Sequence, residues 1–92
     1  MVKVFIKRKL VEGQAIELMN LLKKMRVMTL SQPGYISGET MTRIDQPGEC
    51  LVISTWHSAQ DWLNWLGNDQ RSLIQDEIDL LLGEKTEYAV YG

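Results

Sequence analysis

The chain has 92 residues, of which 45% are hydrophobic and 24% charged, and a formal net charge of −2. That composition fits one folded domain spanning residues 1–92 and excludes disordered, collagen-like and coiled-coil chains. A single cysteine, Cys50, excludes an internal disulfide framework. It predicts a reducing, cytoplasmic setting. No apolar run is long enough to cross a bilayer, and the N-terminus carries its basic residues after its apolar ones, unlike a signal peptide.

Charge is unevenly placed. Residues 1–30 carry seven Lys/Arg against two Glu, and residues 31–92 carry three against ten acidic residues. Lys3, Lys7 and Lys9 alternate along one strand. Lys23, Lys24 and Arg26 fall late in a helix, where cations complement the dipole. An acidic total without interleaved Arg and aromatic residues argues against nucleic-acid binding.

Val2 to Leu10 alternates with period two and predicts a strand. Gly13 breaks it. From Gln14 the period becomes helical, with Ala15, Leu18, Met19, Leu22 and Met25 on one apolar face, widened by Ile16, Leu21 and Met28 into a well-covered helix. Pro33 and Gly34 end that helix. Tyr35 to Ile44 reads as the second strand, in which Gly38 predicts a bulge or a close backbone approach. Gln46-Pro47-Gly48-Glu49 is a turn, and Cys50 to Trp56 is the third strand, so these two strands form an antiparallel hairpin.

Ser58 caps a second helix whose apolar side is Trp62, Trp65 and Leu66. After Gly67 and Asn68, Asp69 caps a third helix with Leu73 or Ile74, Ile78, Leu81 and Leu82 facing inward. Gly83 sits where a left-handed C-terminal cap belongs. Thr86 to Tyr91 alternates as a fourth strand. The order β-α-β-β-α-(α)-β predicts an α+β, ferredoxin-like fold, with a four-stranded antiparallel sheet carrying its helices on one face. The bare sheet face needs cover, and a second copy packed sheet against sheet supplies it.

Three stretches carry a family resemblance. They are Pro33-Gly34-Tyr35-Ile36-Ser37-Gly38-Glu39, Val52-Ile53-Ser54-Thr55-Trp56-His57-Ser58, and Trp62-Leu63-Asn64-Trp65-Leu66. With the element order, they make the chain resemble the antibiotic biosynthesis monooxygenase domains, which include haem-degrading members. The resemblance implies a homodimer of the dimeric α+β barrel type, with a pocket between sheet and helices in each subunit. It further implies that Trp65 faces the ligand. The haem-degrading branch uses an Asn, a Trp and an iron-ligating His at the positions of Lys7, Trp65 and Gln75, so only the Trp matches and haem degradation is not expected. The resemblance implies instead a monooxygenase that uses no cofactor and no metal and acts on a small aromatic or quinone-like molecule. The alternative is a non-catalytic module that binds haem or another ligand.

The residues themselves offer a few candidates for such chemistry. Trp62 and Trp65 stand three apart on one helical face and either stack a planar ligand or fill the core. His57 has a side chain suited to proton transfer near neutrality, although it adjoins a helix cap where water is expected. Tyr35 and Arg43 share strand parity with Met41, so all three point to one sheet face, either the pocket or a partner subunit. Asn64 points to a ligand or to water. Asp76, Glu77 and Asp79 surround Ile78 as a solvated flank with too few ligands for a metal.

Overall fold

Alternation sets β1 (Val2–Lys9). Val4, Ile6 and Arg8 on one side are buried, while Lys3, Lys7 and Lys9 on the other are exposed. In the computed structural model, which describes residues 1–92, the chain continues through α1 (Ala15–Leu30), β2 (Tyr35–Thr42) and β3 (Glu49–Trp56). It ends with α2 (Ala59–Leu66), α3 (Asp69–Leu82) and β4 (Glu87–Tyr91). The sheet order is β2-β3-β1-β4 with every neighbouring pair antiparallel, the expected α+β, ferredoxin-like topology. No helix is long and apolar enough to cross a membrane.

Register decides which residues meet the helices. Val4 lies opposite Ser54 and Val90, and Ile6 lies opposite Val52 and Tyr88, so these side chains share the helix-covered face. Above them pack Leu18 and Met25 from α1, Trp62 and Trp65 from α2, and Ile78 and Leu82 from α3. Trp56 closes the layer at the end of β3 and is fully buried. A row of rings runs through it. Tyr35 to Trp56, Trp56 to Trp62 and Trp62 to Tyr88 have centroid separations of 5.3, 5.8 and 5.6 Å.

The helix termini follow local chemistry, with one change from the sequence reading. The Ser58 hydroxyl accepts from the Asp61 N–H at 3.1 Å, as expected of a cap. At α3 the cap is Asn68 and not Asp69: its side-chain oxygen accepts from the Arg71 N–H at 3.0 Å. Asp69 is then the first helical residue, where its charge meets the positive end of the dipole. Gly83 closes α3 in the left-handed region, at φ 70°.

Three further expectations change. The first concerns α1, which is not well covered. Leu18 and Met25 are its only buried residues, Leu21, Leu22 and Met28 are partly buried against the core, and Ile16 is 76% exposed, so the helix turns a narrow stripe inward. Its cations also miss the last turn, which holds no basic residue, so they do not serve the dipole. The second concerns a bulge between Tyr35 and Ser37, which flips the strand parity. Tyr35 pairs with Trp56 on the helix side, whereas Met41 pairs with Leu51 on the bare side, so the two do not share a face. The third is that β2 ends at Thr42, leaving Arg43 beyond the strand and exposed.

Gly34 joins the start of β2 to the β3–α2 junction. Its carbonyl accepts from the His57 N–H at 2.8 Å, its φ is 82°, and a Cβ there would run into the Asp61 side chain. Gly13 has almost the same φ, 83°, with open space around it. Gly13→Ala should therefore cost about 1–2 kcal/mol, the left-handed backbone penalty alone. Gly34→Ala should cost at least about 1 kcal/mol more, because the collision adds to it. Urea denaturation of both variants checks this, and equal losses would show that Asp61 moves aside freely.

Candidate functional site

A cavity of about 220 Å³ lies between α1 and the sheet. Its floor is Ile6 and Arg8 of β1 with Val52, Ser54 and Trp56 of β3. Trp62 of α2 and Arg71 of α3 close one end, and Tyr35, Gly38 and Thr40 of β2 line the exposed edge. From α1 come Met19, Leu22, Lys23 and Arg26, with Met25 and Thr29. The Tyr35 hydroxyl lies over Gly38, where a Cβ would sit only 2.6 Å from it, so Gly38 provides the close approach its sequence position predicts. The Trp56 indole N–H is spent on the Ser54 hydroxyl at 3.0 Å, which leaves Trp56 to present an apolar face.

Polar groups gather at the inner end. Arg8 is 4% exposed and Arg71 2% exposed, yet neither joins an ion pair. The ion pairs of the protein are Lys9–Glu84, Arg43–Asp45 and Arg43–Glu49, all elsewhere. Arg8 Nη2 donates to Gln75 Oε1 at 3.0 Å, the Tyr88 hydroxyl donates to the same oxygen at 3.0 Å, and Arg71 Nη2 donates to the Tyr88 oxygen at 2.9 Å. Gln75 Nε2 donates in turn to Asp79 Oδ1 at 2.8 Å and to the Thr86 hydroxyl oxygen at 2.7 Å. The Arg71 guanidinium lies 5.4 Å from the Trp62 ring, 5.9 Å from Trp65 and 5.4 Å from Tyr88, an aromatic cage that stabilises a cation.

The Nε groups of Arg8 and Arg71 are buried without any acceptor. Burial pushes the Arg8 pKa below the usual arginine value; Tyr88 opposes this and the nearby Arg71 charge adds to it. Beside Arg8 in the sheet, burial pushes the Cys50 thiol up, with Arg8 working against that shift. Cys50 is therefore held as a thiol, a poor nucleophile near neutrality.

Of the sequence candidates, the structure brings Tyr35 and Trp62 together on the cavity wall. Trp65 is 3% exposed and lies behind that wall, stacked on Arg71. His57 is exposed at the strand–helix junction, away from the cavity. Arg43 is on the surface, paired with Asp45 at 2.8 Å, and Asn64 is exposed and accepts from Gln60 at 2.9 Å. Lys7 points to the bare sheet face opposite Leu51. Asp79 is no solvated flank: it accepts from Gln75 and from both the N–H and the hydroxyl of Thr86, tying α3 to the start of β4. No group of three His, Cys, Asp or Glu residues stands close enough to hold a metal ion.

Sequence reasoning missed Arg8, Arg71 and Tyr88. The signal was present in part. Arg8 continues the inward parity of Val4 and Ile6, and Arg71 lies seven residues before Ile78, on the same helical stripe as Gln75 and Leu82.

Gln75 is 7% exposed and serves four partners, so it holds the network together. Gln75→Leu keeps its bulk but strands Arg8 and Tyr88, and should cost about 2–4 kcal/mol in urea denaturation. Asn64→Leu, on the exposed face of α2, should stay within about 0.5 kcal/mol of wild type. A Gln75→Leu loss as small as that of Asn64→Leu would show that the network carries no stability.

Comparison with known proteins places the fold. Residues 1–76 match the family model described as antibiotic biosynthesis monooxygenase. Protein SchA of Streptomyces halstedii is 25% identical over 69 residues, covering 75% of this chain but 18% of that protein. The 42.8 kDa protein in the whiE locus of Streptomyces coelicolor is 25% identical over 59 residues, covering 64% of this chain and 15% of that protein. The chain thus spans less than a fifth of the length of these curated relatives. Among solved structures, a conserved protein from Methanosarcina mazei Go1 superposes with a TM-score of 0.88 at 21% identity, covering 98% of this chain and 89% of that one. SnoaB, a cofactor-independent oxygenase from Streptomyces nogalater, superposes with a TM-score of 0.82 at 15% identity, covering 99% and 91%. These likenesses concern the fold, while the match over residues 1–76 shows that the chain belongs to the antibiotic biosynthesis monooxygenase family.

Proposed function

We propose that this domain is a small oxygenase that works without a cofactor on a planar aromatic or quinol-like molecule held between α1 and the sheet. The observation that carries this reading is the aromatic-walled cavity of about 220 Å³ formed around Tyr35, Trp56 and Trp62. A dry engineered cavity of about 150 Å³ already admits benzene, so this one has room for a larger ring system. SnoaB, which shares the fold, is itself described as a cofactor-independent oxygenase.

The chemistry asks little of the protein. An acidic phenol or quinol that loses a proton becomes electron-rich enough to reduce dioxygen. In the simplest balance, a ring carbon exchanges two hydrogens for one oxygen atom, and the second oxygen leaves with those hydrogens as water. The site must hold the ring flat, limit water and steady negative charge on the substrate oxygen. In this reading Trp62 and Tyr35 flank the ring, and Trp65 acts behind them by packing against Arg71.

A second reading, binding without turnover, draws on the same wall, since no histidine and no buried carboxylate lies on it. Haem does not suit the site. Gln75, at the position where the resemblance implies an iron ligand, has both ends of its amide engaged, and His57 lies elsewhere.

Oxygen-electrode measurements with a panel of naphthols and naphthoquinols separate the two readings. The oxygenase reading expects uptake at least tenfold above the protein-free rate for some member, reduced severalfold in Tyr35→Phe. Binding of panel members with no added uptake would select the second reading. With haemin and a reductant, the Soret band should decay no faster than in the protein-free control.

The homodimer belongs to the same proposal. Phe5, Leu51, Ile53 and Ala89 are only half-buried on the bare sheet face, where Met41 is 50% and Tyr91 61% exposed. A second copy facing this sheet would bury about 1,600 Å² in total, the size of a stable interface. Sedimentation at micromolar concentration should give twice the chain mass, and a monodisperse monomer would refute the dimer.

A further inference from the structure

We propose that the cavity is specific for an organic anion, a fused-ring aromatic whose carboxylate or ionised phenol docks on Arg8 and Arg71. This rests on the reading above that the cavity holds a planar aromatic, and it names the chemical class of that molecule.

Two guanidinium groups lie almost wholly buried at one end of an aromatic-walled cavity without a carboxylate partner. Each carries five N–H donors, and in each a single protein acceptor is engaged, through Nη2. Both Nε groups have no acceptor. Buried cations left without a counter-charge are costly, and each missing hydrogen bond adds to that cost. The neutral partners Gln75 and Tyr88 fix the guanidinium positions without neutralising them. The nearest acid in the network, Asp79, meets Gln75 Nε2 and Thr86 and not the arginines. A carboxylate or phenolate oxygen set against the guanidinium edges that line the cavity supplies the missing charge. Arg–carboxylate geometry is the strongest pairing available to it.

The approach to the site carries the same sign. Lys23 and Arg26 of α1 are exposed at the mouth, against the single carboxylate of Glu39. Such a rim raises the local concentration of anions and speeds their capture. The aromatic portion of the ligand then lies along Trp62 and Tyr35.

Isothermal titration calorimetry of the intact protein at neutral pH, with 2-naphthoate and its neutral isostere 2-naphthamide, tests the proposal without any mutation. Wild type should bind the naphthoate at least tenfold more tightly than the amide. Arg8→Gln should bring the two affinities within about threefold of each other by weakening the naphthoate alone. Should Arg8→Gln not fold, the wild-type pair still decides, supported by a fall in naphthoate affinity as salt rises. Equal binding of the two probes overturns the anion site and leaves the aromatic cavity standing, while failure of both to bind overturns both readings. Selective naphthoate binding in a protein that shows no oxygen uptake keeps the anion site and removes the oxygenase.

Discussion

Two arginines buried side by side without a carboxylate are the constraint around which this domain is organised. Arg8 on β1 and Arg71 on α3 repel one another, and the fold keeps them apart with neutral groups. Gln75 Oε1 sits between Arg8 and the Tyr88 hydroxyl, and the Tyr88 oxygen receives Arg71. Three elements that are distant in sequence are thereby fixed to each other: β1, α3 and β4. The Trp62, Trp65 and Tyr88 rings surround Arg71, so the aromatic core and the polar network are one construction. Removing Gln75 or Tyr88 leaves an arginine charge with one acceptor fewer in an apolar interior, where an uncompensated ion is most expensive.

The cavity is the counterpart of that construction. Leu18 and Met25 anchor α1 in the core at two points about two turns apart, with Leu21, Leu22 and Met28 partly buried beside them. Met19, Leu22, Lys23 and Arg26 form the next stripe round the helix, at spacings of three and four residues, and this stripe overhangs the gap. On the other side, the bulge after Tyr35 swings that ring from the bare face to the cavity. One extra residue in an edge strand thus supplies the wall opposite Trp62.

What the sequence made legible was what local chemistry decides. Element order, the Pro47-Gly48 hairpin, the Ser58 cap and the Gly83 terminus all depend on residues a few positions apart. The inward side of β1 was legible as far as Ile6, because β-branched residues announce it. Arg8 was not, since an arginine at that parity reads as surface unless its partner is known, and Gln75 lies 67 residues away. Trp62 was legible as an inward-facing ring, but whether Trp62 or Trp65 borders the cavity depends on how α1, α2 and the sheet come together, which no local spacing decides. Parity likewise failed at Tyr35 for a single reason: a bulge leaves no clear mark in Pro33-Gly34-Tyr35-Ile36-Ser37, yet it reverses every side chain on one side of it.

Gln75 is where the chain departs from the pattern the resemblance implies. Where the resemblance implies an iron-binding imidazole, this chain has an amide that accepts two hydrogen bonds at one atom and donates two from the other. A neutral imidazole has one donor and one acceptor and cannot make those four bonds. The residue therefore suits a site that holds cationic side chains in place better than one that holds a metal. It leaves Arg8 and Arg71 with neutral partners and no counter-charge. The family match specifies the frame of strands and helices. The chemistry within that frame depends on a handful of side chains on β1, β2, α2, α3 and β4, and here those side chains are cationic and aromatic.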